Sequence, residues 1–399
     1  MAGTNFIGTT DNVPLELRSN NSRVGYAGLS TNTSWGLGTL PSTSTGTANT
    51  GLGRGVLVSN TTGSNNLGVG AFSLLSNTTG TYNSAIGSET LESNTTGSSN
   101  IAIGWRTMFG NMTGNGNVAV GTRALYNNLD RHNIVAIGDS ALFHNSIGAG
   151  PISPFEGLYP AMFNTGVGSK VLFNNRAGYS NSGFGQAAMY NNNGGSGNTA
   201  MGNTALYANI SGVNNTAVGN NAGNQSSTNP SNFMALGYLA GYVGSNSNEI
   251  EVGNQSVSWI GGQTGWFNYS DGRVKERVQE NVAGLDFINR LRPVTYHFDV
   301  HKEYEMVHGS KDVGEWEGKY DLEKRQMTGF IAQEVEAAAK ASGYDFSGVR
   351  APEGTTKLYS LSYGEFVVPL VKAVQEQQIL IEAQQRAIDE LREELRRMR

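Results

Sequence analysis

Glycine returns every 17 residues through half of this chain. Gly53, Gly70, Gly87, Gly104, Gly121 and Gly138 keep that interval; after an insertion Gly168, Gly185, Gly202 and Gly219 resume it, before a slip to Gly237 and Gly253. One place before each stands an apolar residue, as in Leu52, Val69, Ile86, Ile103 and Val120, and two places before stands Ala or Gly until Glu251. Four places after comes Leu or Met in nine of the first ten, and Asn stands four places before in most units, as at Asn66, Asn83, Asn100 and Asn117. A short fixed period with turn residues between apolar positions is the signature of a β-solenoid, because each unit buries its apolar face only against its neighbours.

Seventeen residues leave room for two short strands and two turns. Asn suits side-chain ladders between coils, and Gly suits left-handed turn positions. Twelve coils spaced about 4.8 Å apart make a rod of roughly 55 Å. Each unit offers two large apolar side chains, little to offset the ordering of its backbone. The expectation is that several chains pack their small Ala/Gly faces together. Between Gly138 and Gly168 the beat gains 13 residues, and the interval includes GAGPISPFEGLYPAMF. This insertion, near 143–163, is a candidate receptor-contact loop through Phe155, Tyr159 and Phe163, since insertions in repeats often carry the binding face.

Two apparent motifs are accounted for by the repeat. GLGRG at 51–55 lies on the beat with no βαβ unit around it, so it is no dinucleotide loop. The Asn-x-Ser/Thr triplets are repeat turns.

The chain changes character near residue 269. Residues 1–269 carry 8 Lys/Arg and 9 Asp/Glu, whereas 270–399 carry 19 and 23 in less than half the length. The net charge of −5 without a basic stripe argues against a nucleic-acid partner. No apolar run reaches the roughly 20 residues that span a bilayer. The opening MAGTNFIGTT has no charged or apolar leader region, which reads as assembly in the cytoplasm or as a natural N-terminus lying upstream. With no cysteine, disulfides and thiolate metal sites are excluded. The five histidines, His132, His144, His297, His301 and His308, show no ligand spacing, and His297 reads as a packed strand residue. No cofactor and no metal are expected.

From Ser270 the pattern is α+β. LDFINRL (285–291) reads as a short helix stopped by Pro293, VTYHF (294–298) as a strand, and the charged stretch to about Arg325 as a loop. MTGFI (327–331) reads as a strand, AQEVEAAAKA (332–341) as a helix, and a long helix runs from about Tyr363 to the end. That helix carries heptads. Val367, Val374, Ile381, Ile388 and Leu395 fall at a, and Leu370, Gln377, Gln384, Leu391 and Met398 at d, the pattern of a coiled coil with two Gln layers.

Three ordered motifs, S-D-G-R-V-K at 270–275, G-F-I-A-Q-E-V at 329–335 and P-L-V-K-A-V-Q-E-Q at 369–377, resemble the intramolecular chaperone domain of phage tailspikes and tail fibres. This is the peptidase S74 family, with similar domains in endosialidase tailspikes and myelin regulatory factor. The repeat resembles the left-handed β-roll of trimeric autotransporter adhesin heads, and more closely the NTTG-x-x-N-x-A-x-G repeats beside phage-type tail-fibre domains. These resemblances imply a mainly β protein: a trimeric left-handed β-roll or solenoid fibre, then a small α+β chaperone domain ending in a coiled-coil helix. They further imply that the C-terminal domain trimerises, drives folding of the fibre, and cuts itself off between Ser270 and Asp271 with a Ser270–Lys275 dyad; the preceding bond stays open as an alternative. Asp271 and Arg273 complete the motif and orient it.

The chemistry is consistent with those residue types. A serine hydroxyl needs a base, and a lysine amine serves as one where burial favours its neutral form. Residues five apart do not meet in an extended chain, so a turn or a neighbouring subunit must join them. Glu334 in the I-A-Q-E-V motif reads as a helix-surface residue.

The domain plan is an attachment or capping segment at 1–49, repeats at 50–253, a junction at 254–269, and the chaperone module at 270–399 with its coiled coil at 363–399. The functional expectation is a homotrimeric tail fibre of a virion or phage-like injection system, docked to a baseplate or tail by its N-terminus and contacting a cell-surface glycan or protein. A bacterial surface adhesin of the same architecture is the alternative. A glycan-degrading tailspike ranks lower, because short repeats offer no acidic pair in a cleft.

Overall fold

A computed structural model describes residues 7–11, 13–28, 32–150, 159–224, 229–241, 246–254, 256–263, 265, 267–308, 318–352 and 358–398. The chain divides into two units, 1–254 and 255–399.

Unit one is a single 15-stranded sheet whose strands follow sequence order. It opens with an antiparallel hairpin, β1 (Leu15–Ser19) and β2 (Ser22–Ala27), turned by Asn20 and Asn21 at φ 46° and 58°. Two consecutive left-handed residues match the twist of a tight hairpin, which is why Asn occupies both. β3 (Thr33–Trp35) pairs antiparallel with β2 and parallel with β4 (Thr50–Leu52), so the sheet already begins inside the segment expected to be a separate attachment region. From there to β15 (Ile250–Val252) every strand is parallel to the last: a β-solenoid of about 12 turns.

Each coil contains one three-residue strand, where two were expected. The opposite leg is built differently. Its Leu or Met, four places after the glycine, is fully buried at a φ near +50°, for example Leu91 at 51° and Met108 at 50°. A left-handed backbone costs a non-glycine residue about 1–2 kcal/mol. Burying a leucine side chain contributes about 1.5–3 kcal/mol, and Leu91 N–H donates to Thr107 O on the next coil at 3.0 Å, so burial outweighs the strain. That conformation cannot extend into a strand.

Two asparagine ladders run through the interior. In the first, Asn83 Nδ2 donates to Asn66 Oδ1 at 3.2 Å and to Gly97 O at 2.8 Å. The second uses the Asn of the N-T-T-G run. Asn77, Asn94, Asn111 and Asn128 each donate to the Asn Oδ1 of the preceding coil at 2.8–3.0 Å, and each also donates to a backbone carbonyl three residues on. Both N–H donors of these four rungs are thereby satisfied, which removes the cost of burying their amides. The ladder continues across the insertion: Asn175 Nδ2 reaches Asn145 Oδ1 at 3.0 Å although 30 residues separate them.

The glycine at the strand end is required twice over. Gly121 has φ 129°, and a Cβ there would stand 2.5 Å from Gly138 O of the next coil. Close backbone approach sets the column.

The burial pattern overturns one expectation. Ala85, Ala102, Ala119 and Ala136 are fully buried inside their own chain, and the apolar residues that follow them, Ile86, Ile103 and Ile137, are 37–39 % exposed. Successive residues of a strand face opposite sides, so only one of the pair can face in. The coil interior is narrow and takes the alanine. The small-residue face therefore belongs to the intrachain core, and the outward face carries the larger side chains.

Unit two holds a short helix α1 (Leu285–Ile288), a hairpin of β16 (Val294–His297) with β17 (Gln326–Gly329), α2 (Val300–His308), α3 (Ala332–Ala341), a second hairpin of β18 (Val349–Arg350) with β19 (Ser360–Leu361), and α4 (Val367–Arg397). Its core is aromatic: Phe287, Phe346 and Phe366 meet with Val335, Ala338 and Ala339. α2 occupies part of the stretch expected to be loop. α4 has 31 residues, about 46 Å at the rise of an α-helix, yet only Pro369 and Ala373 are buried in it. Glu376 ties it to the core, its Oε2 accepting the N–H of Leu285 at the start of α1 at 2.7 Å. No helix among the described residues is long and apolar enough to cross a membrane.

Candidate functional site

Ser270 and Lys275 come together within one chain. A 3-10 turn over Gly272–Val274 folds the segment back, closed by Lys275 N–H donating to Gly272 O at 3.3 Å. Lys275 Nζ then stands 2.7 Å from Ser270 Oγ. The turn exists because of its first residue: Asp271 Oδ1 accepts the Arg273 N–H at 2.9 Å, the geometry of an N-cap. Arg273 returns its guanidinium to the same carboxylate, Nη2 to Oδ2 at 2.6 Å. That hydrogen-bonded guanidinium, helped by the backbone N–H, holds the Asp271 carboxyl below the usual carboxylate range. Asp271 and Arg273 thus brace the loop that carries the pair, with Gly272 between them leaving open space for the chain to turn.

The pair lies open to solvent. Ser270, Lys275 and their neighbours are exposed, and so are the large apolar residues around them: Phe267 and Tyr269 fully, Val274 and Val278 nearly so. The geometry supports proton transfer between amine and hydroxyl, because the two heavy atoms are at hydrogen-bond distance.

The predicted helix seam is equally bare. Val367, Leu370, Val374, Ile381, Ile388, Leu391 and Leu395 are 45–62 % exposed, a continuous apolar stripe on α4. Of the candidate receptor loop, Phe155 lies outside the described residues. Tyr159 and Phe163 meet edge to face at 5.7 Å, but Phe163, at φ 58°, fills the turn position held by Asn65, Tyr82 and Ser99 in other coils. It belongs to the regular repeat and not to the insertion.

His297 is exposed, unlike the packed residue expected, and its Nδ1 pairs with Glu323 O at 2.9 Å. Glu334 lies on the surface of α3, where Arg292 holds it. Spacing along the chain did not suggest a metal cluster, yet Asp299, His301 and Glu323 place one ligand atom each within 4.8 Å of one another. Their contacts have another explanation. Asp299 Oδ1 accepts the Lys302 N–H, capping α2, and His301 pairs with Glu323 at 2.6 Å while stacking on Tyr320. Twenty-two residues separate His301 from Glu323, so only the fold reveals the grouping.

The repeat also sets charge beside an aromatic ring: Trp105, Arg106 and Arg123 lie on adjacent coils, and the 17-residue interval between Arg106 and Arg123 is its signal in the sequence.

The family model for Peptidase_S74, chaperone of endosialidase, matches residues 270–344, the stretch that begins at Ser270 and ends after α3. No curated protein and no solved structure matches the chain. The matched C-terminal stretch and the β-solenoid before it fit a tail-fibre protein with a C-terminal chaperone domain.

Proposed function

We propose that this chain is a homotrimeric, receptor-binding tail-fibre protein of a virion or phage-like injection system, whose C-terminal domain chaperones trimer formation and then releases itself by Ser270–Lys275 autoproteolysis at the Ser270–Asp271 bond. The observation that carries the proteolytic part is the 2.7 Å approach of Lys275 Nζ to Ser270 Oγ in a turn braced by Asp271 and Arg273. Lys275 takes the Ser270 hydroxyl proton. Because Ser270 also carries the carbonyl of the scissile bond, its oxygen closes a four-membered β-lactone on that carbon; the Asp271 nitrogen takes the proton from Lys275 and leaves as a free amine, and water opens the lactone to the Ser270 carboxylate.

Trimerisation is supported by the two apolar surfaces that a lone chain leaves wet. One is the stripe on α4. The other is the outward strand column, Leu52, Ile86, Ile103, Ile137, Phe184, Met201 and Val218, aligned in register along the sheet. Patches this long mark interaction sites in soluble proteins. Covering Phe267, Tyr269 and Val274 with neighbouring chains would exclude water from the turn, the kind of setting in which lysine amines serve as bases. In this reading the dyad contact exists in each chain, and assembly switches on its chemistry. The attachment role of the N-terminal segment and the placement on a particle rest on the tail-fibre likeness.

The test is expression of the full chain with mass analysis of the products. Cleavage divides the 399 residues into 270 and 129, and N-terminal sequencing of the smaller fragment places the cut: it begins at Asp271 if the Ser270–Asp271 bond breaks, and at Ser270 if the preceding bond breaks. Ser270→Ala and Lys275→Ala leave the chain whole. Intact wild-type chain in fully assembled trimer refutes the proteolytic assignment.

A further inference from the structure

The solenoid surface is mostly Ser, Thr, Asn and Gly, and Arg106, Arg123, Asp139 and Lys170 stand one or two places after the repeat glycine along one corner, with Glu89 and Glu92 one coil before. The residue two places after each glycine stands at a φ of 53–56° in Arg106, Arg123, Ser140 and Lys170, so these side chains form one column along successive coils. Trp105, 41 % exposed, sits between two guanidiniums: Arg106 Cζ is 4.9 Å and Arg123 Cζ 4.8 Å from its ring. The two arginines are not equivalent. Arg106 is neutralised by Glu89, Nε to Oε2 at 2.5 Å. Arg123 has no ion pair among the described residues, and Lys170, two coils further, has none either. Asp139, exposed, lies on the coil between them.

Beside this column runs a ribbon of stacked rings, Phe109, Tyr126, Phe143, Phe173, Tyr190 and Tyr207, with centroids 5.0–5.2 Å apart. The rings cover each other's faces and leave their edges half exposed.

We infer that this corner is a docking surface for a linear acidic polysaccharide laid along the fibre axis, one sugar ring per coil, with a carboxylate on every second ring. Three observations converge on that chemistry. The coil rise of about 4.8 Å is close to the advance of one pyranose in a 1,4- or 1,3-linked chain, so a polysaccharide stays in register over many coils. Arg123, its Cζ 4.8 Å from the Trp105 ring centroid, has the forked N–H donors that bind a carboxylate in bidentate fashion. Lys170 repeats the cation about 10 Å away, with Asp139 repelling an anion midway. A uniformly charged chain brings one carboxylate against Asp139, and a neutral one leaves both cations unused. Neighbouring turns supply amide and hydroxyl groups for sugar hydroxyls, among them Gln186 and Asn203, paired at 3.1 Å.

The inference rests on the receptor-binding reading and places the contact away from the insertion. Calorimetry of the full-length protein as expressed tests it with three chains of equal length: hyaluronan, with a carboxylate on every second ring; polygalacturonate, with one on every ring; and a neutral cello-oligosaccharide. Hyaluronan binds at least tenfold more tightly than the neutral chain and more tightly than polygalacturonate. Arg123→Ala and Trp105→Ala each weaken it at least tenfold, and Arg176→Ala, at an exposed position elsewhere on the coil, leaves it unchanged. Light scattering confirms that the variants keep the wild-type assembly. Equal binding of the neutral chain, unchanged affinity in Arg123→Ala, or an equal loss in Arg176→Ala overturns the surface, and equal binding of the two acidic chains overturns the alternate-ring spacing. If Arg123→Ala/Trp105→Ala protein still binds cells that capture the wild type, the surface is wrong and the receptor-binding reading stands.

Discussion

Asp271 shows how much one residue does in the candidate site. It caps the 3-10 turn and anchors Arg273, so it shapes the loop without touching the Ser–Lys pair. Asp271→Asn keeps an oxygen for the cap but loses the charge on the guanidinium. Self-release should slow in Asp271→Asn and slow further in Asp271→Ala, with the cut position unchanged; release at the wild-type rate in both would mean the turn does not position the dyad. Glu303 tests burial. Its Oε2 has no hydrogen-bond partner among the described residues, and desolvation pushes the carboxyl from 4.5 up to about 7. The folded chain then holds a proton that the unfolded chain releases, so stability is fully present below about 4.5 and is lost as pH rises to about 7. Thermal unfolding of Glu303→Gln should show a higher Tm than wild type at pH 8 and a small difference at pH 4; parallel pH profiles would contradict the assigned shift. At this scale the Ser270 and Lys275 pairing was legible from motif alone. The Glu303 environment was not, because nothing in V-H-K-E-Y-E says which glutamate loses its water.

Among the elements, the solenoid coil was the most legible and still held surprises. The 17-residue beat carried the repeat, the glycine column and the first asparagine ladder, because coil registry forces equivalent residues to stack. It did not reveal that only one leg of each coil is a strand, since leucine at positive φ runs against local propensity and is held there by burial. The Asn rungs make a direct prediction. Asn111→Ala removes two donors and one acceptor from Asn94, Gly114 and Asn128. Each buried group left unpaired costs about 1–3 kcal/mol, so denaturant unfolding of the full chain should lose at least that much. A loss below about 0.5 kcal/mol would show that water replaces the rung. Gly121→Ala should fare worse, because its Cβ meets backbone and not a side chain that can turn away. In the C-terminal unit α3 stands where its sequence places it, Ala332–Ala341, whereas α2 was hidden by its charge-rich composition.

For the whole molecule the question is how many copies complete the apolar surfaces. Ile381 and Ile388 lie on the bare stripe of α4. Aspartates there would bury uncompensated charge in a helix seam, at several kcal/mol per layer. Ile381→Asp with Ile388→Asp should abolish both the trimer and self-release, and light scattering that shows a normal trimer would refute the seam. Removing 270–399 from the gene should leave 1–269 aggregated, since parallel strand pairing over long sequence separations nucleates slowly. Soluble trimers from that truncated gene would remove the chaperone role. Cutting after assembly should change little, because persistence then depends on the unfolding rate.

The sequence by itself determined the period, the residue types in each column and the motif that pairs Ser270 with Lys275. Those are properties of spacing, and spacing is all a sequence carries. Tertiary structure alone decided which way each column faces. The alanines before each glycine turned inward and the isoleucines outward, since alternate residues of a strand oppose each other and the narrow coil admits only the smaller. The same folding set Trp105 between two arginines and left one of them without an acid, and it drew Lys275 back onto Ser270 through a turn capped by Asp271.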